Sequence, residues 1–216
     1  MNDGALSSVS ELVRALAAMD GAAARRALDA FDAPPMDKAE RLIVPALEAL
    51  GHDWEEGRVA LSQIYMASRT CERLLDEILP PQSPSRKDQP KTAIAVLDDH
   101  HVLGKRIVYS VLRGTGWDVV DLGRCDAAEL VGKVRAEGVR ILLVSVLLYR
   151  SALKVREVRT LLDQGEGAVR LVVGGAPFVL DPELWKRVGA DDTGRNAAQA
   201  IAAVERMVTS LREESR

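Results

Sequence analysis

The sequence predicts an N-terminal four-helix bundle followed by an α/β flavodoxin-like, Rossmann-like domain built on a five-stranded parallel sheet. Three observations predict it. The first 80 residues carry apolar side chains at helical spacing. Residues 91–216 alternate short apolar runs with amphipathic segments. A Pro-rich polar stretch, residues 81–90, separates the two and reads as a semi-rigid linker.

In the first part, Ser7 or Ser8 can start a helix through Leu12, Val13, Leu16 and Ala17, which Asp20-Gly21 breaks. An Ala-rich second helix runs to about Ala30 and ends before Pro34-Pro35, because proline cannot continue a helix interior. A third aligns Ala39, Leu42, Ile43, Ala46, Leu47 and Leu50 on one face and is expected to stop at Gly51. A fourth carries Leu61, Ile64, Met66, Ala67, Cys71, Leu74, Leu75 and Ile78. Short connections between such helices give an antiparallel bundle.

In the second part, strands are expected at 92–97, 118–122, 141–145 and 171–173, with a short one near 190–192. Helices are expected at roughly 103–114, 126–137, 152–163, 181–187 and 195–212. Alternating β and α units give a parallel sheet covered by helices on both faces.

Composition narrows the functional classes. A hydrophobic share of 47% supports a full core, and the net charge of −3 comes with Lys and Arg interspersed among Asp and Glu. That pattern speaks against nucleic acid as a partner. Cys71 and Cys125 lie far apart in no Cys-x-x-Cys motif, so reduced thiols and a cytoplasmic protein are expected. Apolar runs are too short to span a membrane, and Met1-Asn2-Asp3-Gly4 does not open a secretory signal.

The chemistry gathers at the carboxyl ends of the strands, where open α/β sheets bind ligands. Asp99, His101 and Gly104 follow the first strand, and Ser145 and Leu147 end the third, with Ser151 beyond. Gly174, Gly175 and Ala176 end the fourth. Singly, each has an ordinary reading: Asp98 or Asp99 as a helix cap, Ser145 as another, Gly-Gly as a turn. Neither a phosphate loop nor a Gly-x-Gly-x-x-Gly follows the first strand. A phosphoacceptor site would place an aspartate where Ser145 stands. Zinc would need more His, Cys or carboxylate ligands than this rim offers. A lone histidine, His101, suits a metal already held by an organic macrocycle.

These elements together resemble the cobalamin-binding fingerprint: Asp-x-His-x-x-Gly at Asp99, His101 and Gly104, Ser-x-Leu at Ser145 and Leu147, and Gly-Gly at Gly174 and Gly175. The helical half is similar to the cap of corrinoid proteins in methyltransferase systems, through residues 42–51 and Trp54-Glu55-Glu56-Gly57. The resemblance runs over roughly residues 10–212. It implies a methyl carrier without catalysis of its own, holding cobalamin as methylcobalamin or cob(I)alamin. His101 would be the lower axial cobalt ligand, with Asp99 and Ser151 behind it as a relay. Val102, Leu103, Gly104, Ser145, Leu147, Gly174, Gly175 and Ala176 would line the cofactor, whose nucleotide tail passes the Ser and Gly positions. Trp54, Tyr65 and Met66 are the candidates to cover the upper face; the last two are adjacent on one helix and cannot both face it fully. Separate methyltransferase polypeptides and a reductive activase would be the partners.

Two other readings attach to the same resemblance. One is a cobalamin-dependent sensor or antirepressor in transcriptional regulation. Light-sensing relatives place a Glu-His pair where this chain has Ile64 and Tyr65, and no DNA-binding module precedes the bundle. The other is a mutase subunit, which usually lacks the helical cap. Val102 and Leu148-Tyr149-Arg150 depart from the usual carrier pattern of Asp after the histidine and threonines after Ser-x-Leu.

Overall fold

A computed structural model describes residues 3–78, 89–165 and 167–214. The chain divides into two compact units, Met1–Lys87 with Ser110–Trp117, and Asp88–Tyr109 with Asp118–Arg216. The helical unit thus takes in Ser110–Trp117, a segment the sequence places with the second half. The expected linker at 81–90 lies, up to residue 88, outside the described residues.

The helical unit contains α1 (Asp3–Ala17), α2 (Gly21–Ala30), a short α3 (Pro35–Lys38), α4 (Val44–Glu55) and α5 (Leu61–Ile78). Asp20 caps α2 by accepting from the Ala23 N–H at 2.8 Å. Between α3 and α4 the backbone makes one π-helical turn, Ala39–Ile43, in which the Val44 N–H reaches the Ala39 carbonyl. Pro45 accounts for this wider turn: it has no N–H to give Arg41, and its ring would strike that carbonyl in a regular helix. Leu12, Leu16, Leu28, Leu42, Ile43, Leu50 and Leu75 are fully buried in the unit. Gly51 does not end the third helix, as its sequence position suggested. It sits inside α4 with open space where a Cβ would be, and the chain reverses only at Gly57, whose φ of 73° is left-handed. Burial of Leu47 and Leu50 outweighs the roughly 1 kcal/mol that an interior glycine costs.

The second unit is the parallel sheet with its helices. Among the described residues the strands are β1 (Thr92–Leu97), β2 (Val119–Cys125), β3 (Ile141–Ser145), β4 (Arg170–Gly174) and β5 (Asp192–Gly194), in the order β2-β1-β3-β4-β5. That is the flavodoxin-like order. All four pairings are parallel. The connecting helices are α6 (Leu103–Gly114), α7 (Ala127–Glu137), α8 (Tyr149–Asp163), α9 (Ala176–Leu180), α10 (Leu184–Arg187) and α11 (Ala197–Glu214). The strand expected near 190–192 lies slightly later, the helix expected at 181–187 is only the short α10, and a further short helix, α9, precedes it. β1 is buried along its whole length, as a central parallel strand must be. Leu97, Leu130, Leu142, Val155, Leu171 and Phe178 lie in the core on one side of the sheet. α7 begins with a capping box between Asp126 and Glu129 and ends at Gly138 with φ 63°.

Leu142 is fully buried in this core, whereas Leu180 is 84% exposed. Leu142→Ala is therefore expected to cost about 3 kcal/mol in urea denaturation, and Leu180→Ala less than about 0.5. Equal costs would show that the sheet core is misassigned.

Candidate functional site

The order of the strands places a topological switch between β1 and β3, since the chain leaves β1 towards β2 and leaves β3 towards β4. The loops after these two strands meet at one side chain. Asp99 follows β1 and is 1% exposed. Its Oδ1 accepts from the backbone N–H groups of His100 at 2.7 Å and His101 at 3.1 Å, and from His101 Nδ1 at 2.6 Å. Its Oδ2 accepts from the N–H groups of Leu147 at 2.8 Å and Leu148 at 3.1 Å, across the crevice on the loop after β3. Burial pushes the Asp99 carboxyl up, but the His101 ring and the Leu147, His101 and Leu148 amides outweigh it and hold the group well below the usual carboxylate range. Asp99 is therefore a fixed anion. It does not cap α6, because none of the amides it binds belongs to that helix.

A carboxylate only accepts, so His101 Nδ1 carries the proton in this contact, and in the neutral ring Nε2 is the nitrogen with the free lone pair. The His101 side chain is 55% exposed, and Nε2 has no protein partner among the described residues. His100 turns elsewhere: its Nδ1 meets the Arg124 guanidinium near the end of β2. Among the described residues no group of three or more His, Cys, Asp or Glu is placed to hold a bare metal ion. One prepared nitrogen facing outward fits a metal whose other ligands come with it.

The turn that delivers this pair is held in an uncommon conformation. Asp98 has φ 46°, which side-chain-bearing residues adopt at a cost of about 1–3 kcal/mol. Its N–H donates to the Cys125 carbonyl at 2.9 Å, its carbonyl accepts from Ser151 Oγ at 2.8 Å, and its carboxylate takes Lys154 Nζ at 2.5 Å. That hydrogen bond raises the Lys154 pKa and keeps the ammonium charged.

Ser151 is thus not where a His-Asp-Ser relay would put it. Its hydroxyl bonds the Asp98 backbone, and the Asp99 oxygen it would have approached is filled by two amides. No residue type signals this, because the Leu147 and Leu148 donors are backbone groups.

The remaining rim residues fall around the same crevice. Ser145 is half-buried, and a Cβ built on Gly104 would lie 3.5 Å from its Oγ, so the two face each other with little between them. Val102 is half-buried and Leu103 opens α6, while Leu147 is 44% exposed. Gly174 and Gly175 are required first by the protein itself. A Cβ on Gly174 would stand 2.8 Å from the Gly194 carbonyl oxygen. One on Gly175, whose φ is 115°, would stand 1.8 Å from that of Val146. Ala176 then begins α9, with Pro177 in its first turn. In the helical unit, Trp54 and Met66 are 43% and 40% exposed, and Tyr65 is half-buried. Neither Trp54 nor Met66 is a core residue.

Comparison with known proteins identifies the family. The B12 binding domain profile matches residues 91–202, and a second B12 binding domain profile matches residues 9–79. Monomethylamine corrinoid protein 2 of Methanosarcina acetivorans is 28% identical over 183 residues, covering 80% of this chain and 83% of its own. Trimethylamine corrinoid protein 2 of Methanosarcina mazei is 30% identical over 180 residues, covering 79% and 81%. The structure of the Methanosarcina barkeri monomethylamine corrinoid protein aligns with a TM-score of 0.62 at 25% identity, covering 93% of this chain and 98% of that one. The fold also matches the methanol:cobalamin methyltransferase complex of Methanosarcina barkeri, with a TM-score of 0.60 at 22% identity, covering 96% of this chain and 84% of that one.

The Asp99 anion makes a pH prediction. A carboxyl with a folded pKa below its unfolded value of about 3.9 stabilises the fold above that pH and loses the contribution as pH falls towards the folded value. Asp99→Asn lowers stability at pH 7 and gives a shallower stability profile than the parent between pH 5 and 3, measured by urea denaturation. Parallel profiles would contradict the assignment.

Proposed function

Because the chain belongs to the B12-binding domain family, we propose that it is a corrinoid methyl carrier, a non-catalytic subunit that moves a methyl group between a substrate methyltransferase and a second methyltransferase. The observation that carries this reading is the single outward nitrogen of His101, its tautomer set by a buried anion at the switch point of the sheet. The chain covers most of the length of its corrinoid-protein relatives, so the comparison concerns the whole carrier.

In this reading the bound cobalamin supplies a cobalt centre that accepts and donates the methyl group. His101 Nε2 would be the nitrogen that holds the cobalt. Asp99 keeps Nδ1 protonated, which raises the basicity of Nε2 and fixes the ring plane. Leu147 and Leu148 hold Asp99 through their amides and so take the place expected for Ser151, which instead secures Asp98. Gly104, Ser145 and Leu147 border the slot for the nucleotide tail, with Val102 and Leu103 at its entrance and Gly174, Gly175 and Ala176 along its far wall. Trp54 and Met66 are exposed apolar groups fit to exclude water from the upper face, and Tyr65, next to Met66 in the chain, is half-buried.

The partners are separate methyltransferase polypeptides and a reductive activase that restores the metal after adventitious oxidation. Likeness to the fold of a methyltransferase complex supports the first of these. No helix among the described residues is long and apolar enough to cross a membrane. The two free cysteines, Cys71 and Cys125, agree with a cytoplasmic carrier.

Purified chain reconstituted with cobalamin tests the reading. The parent and His100→Ala should show the absorption spectrum of a histidine-ligated corrinoid, and His101→Ala the spectrum without an axial nitrogen. After reduction and methylation with methyl iodide, the parent should pass the methyl group to a thiol when a corrinoid-dependent methyltransferase is added. A chain that binds no corrinoid, or that loses its axial nitrogen in His100→Ala instead, would overturn it.

A further inference from the structure

The loop carrying His101 is anchored on its β3 side by Asp99. Its anchorage on the β2 side depends on a feature that the cofactor reading leaves without a role. The register between β1 and β2 slips: Ile94 pairs with Asp121, but Val96 pairs with Arg124 and Leu97 with Cys125. β2 therefore carries one extra residue, a bulge uncommon between parallel strands. Gly123 supplies the left-handed turn it needs, at φ 76°. The polar groups that the bulge frees are satisfied. The Gly123 N–H donates to Asp121 Oδ1 at 2.8 Å. The Leu122 carbonyl accepts from Lys133 Nζ at 3.2 Å and from Cys125 Sγ at 3.3 Å. A bulge with its groups satisfied in this way is a built feature, not a slip in pairing.

The bulged strand holds the His101 loop and the start of α6 from both sides of the bulge, in addition to the Arg124–His100 contact. Beyond it, the Cys125 carbonyl takes the Asp98 N–H at 2.9 Å. Before it, Asp121 Oδ2 binds the ammonium of Lys105. Lys105 lies in the first turn of α6, four residues after His101, and is only 6% exposed. Burying an ammonium costs several kcal/mol unless it is paired. Asp121 is thus the group that lets Lys105 stay buried, and the pair clamps the start of α6 to β2. One aspartate holds both the bulge and the helix start.

We propose that Lys105 is a positioning residue for His101: with Asp121 and the β2 bulge it fixes the height and tilt at which His101 Nε2 meets the cofactor. This rests on the reading of His101 as the axial ligand. The loop is then held against β3 through Asp99 and against β2 through Asp98, His100 and Lys105. Removing Lys105 leaves the Asp99–His101 bond in place but frees the helix start from which the loop is hung.

The test uses the full chain loaded with cobalamin and reduced by one electron. The ratio of histidine-ligated to unligated cobalt is read from the visible spectrum. Lys105→Met keeps the length of the stem and removes the charge. It is expected to lower that ratio at least tenfold while the far-UV circular dichroism stays unchanged. In the protein without cofactor, the same variant should speed amide hydrogen exchange at His100 and His101 at least tenfold, with exchange in β4 unaltered. Asp121→Asn, changed at a partly exposed carboxylate, should move both readouts in the same direction and serves if Lys105→Met fails to fold. A ratio within twofold of the parent in a folded variant would overturn the proposal. Failure of the underlying reading looks different: the parent itself, bound to cobalamin, would then give the same spectrum as His101→Ala.

Discussion

A single buried carboxylate organises this molecule's chemistry. Asp99 sits where two strand-ending loops part, and it accepts from donors on both. Without it, the amides of His100, His101, Leu147 and Leu148 would lose their acceptor at the crevice, and the His101 ring would be free to rotate or change tautomer. An ion in this position is costly to bury and is held by the number of its donors. The same bonds that offset its desolvation orient the imidazole. Stability and ligand geometry are therefore not separable at this site.

The strand order explains why such a residue works here. In the order β2-β1-β3-β4-β5 the two central strands send their chains in opposite directions, leaving a crevice that neither loop can close alone. Asp99 spans that crevice, and the glycines after β4 let the next loop come close: Gly175 could carry no side chain against the Val146 carbonyl. The Gly-Gly pair thus has a reason in the backbone before any ligand arrives.

Much of this was legible in the sequence, and the exceptions share a cause. β1 and β3 are continuous apolar runs, and the boundaries expected for them are those observed. β5 is three residues, Asp-Thr-Gly, with no apolar pattern to locate it. Gly51 read as a helix end because glycine is common there, but the apolar face of α4 continues past it. Asp99 and His101 could be paired from their spacing, since two residues allow a side chain to reach back. The part played by Ser151 could not, because its partner is the Asp98 carbonyl. The amides of Leu147 and Leu148 leave no mark on a sequence, and neither does the extra residue in β2 that aligns Cys125 and Asp121 with the loop.

The central claim is that His101 is the protein's ligand to cobalt. It is tested most directly by electron paramagnetic resonance of the chain bound to cob(II)alamin, prepared with histidine labelled uniformly with nitrogen-15. Coordination by His101 predicts that the three-line nitrogen splitting of the unlabelled protein becomes two lines on labelling, and that His101→Ala removes the histidine splitting. A three-line pattern that persists in the labelled protein would mean that the cofactor's own base remains on the metal, and would contradict the account.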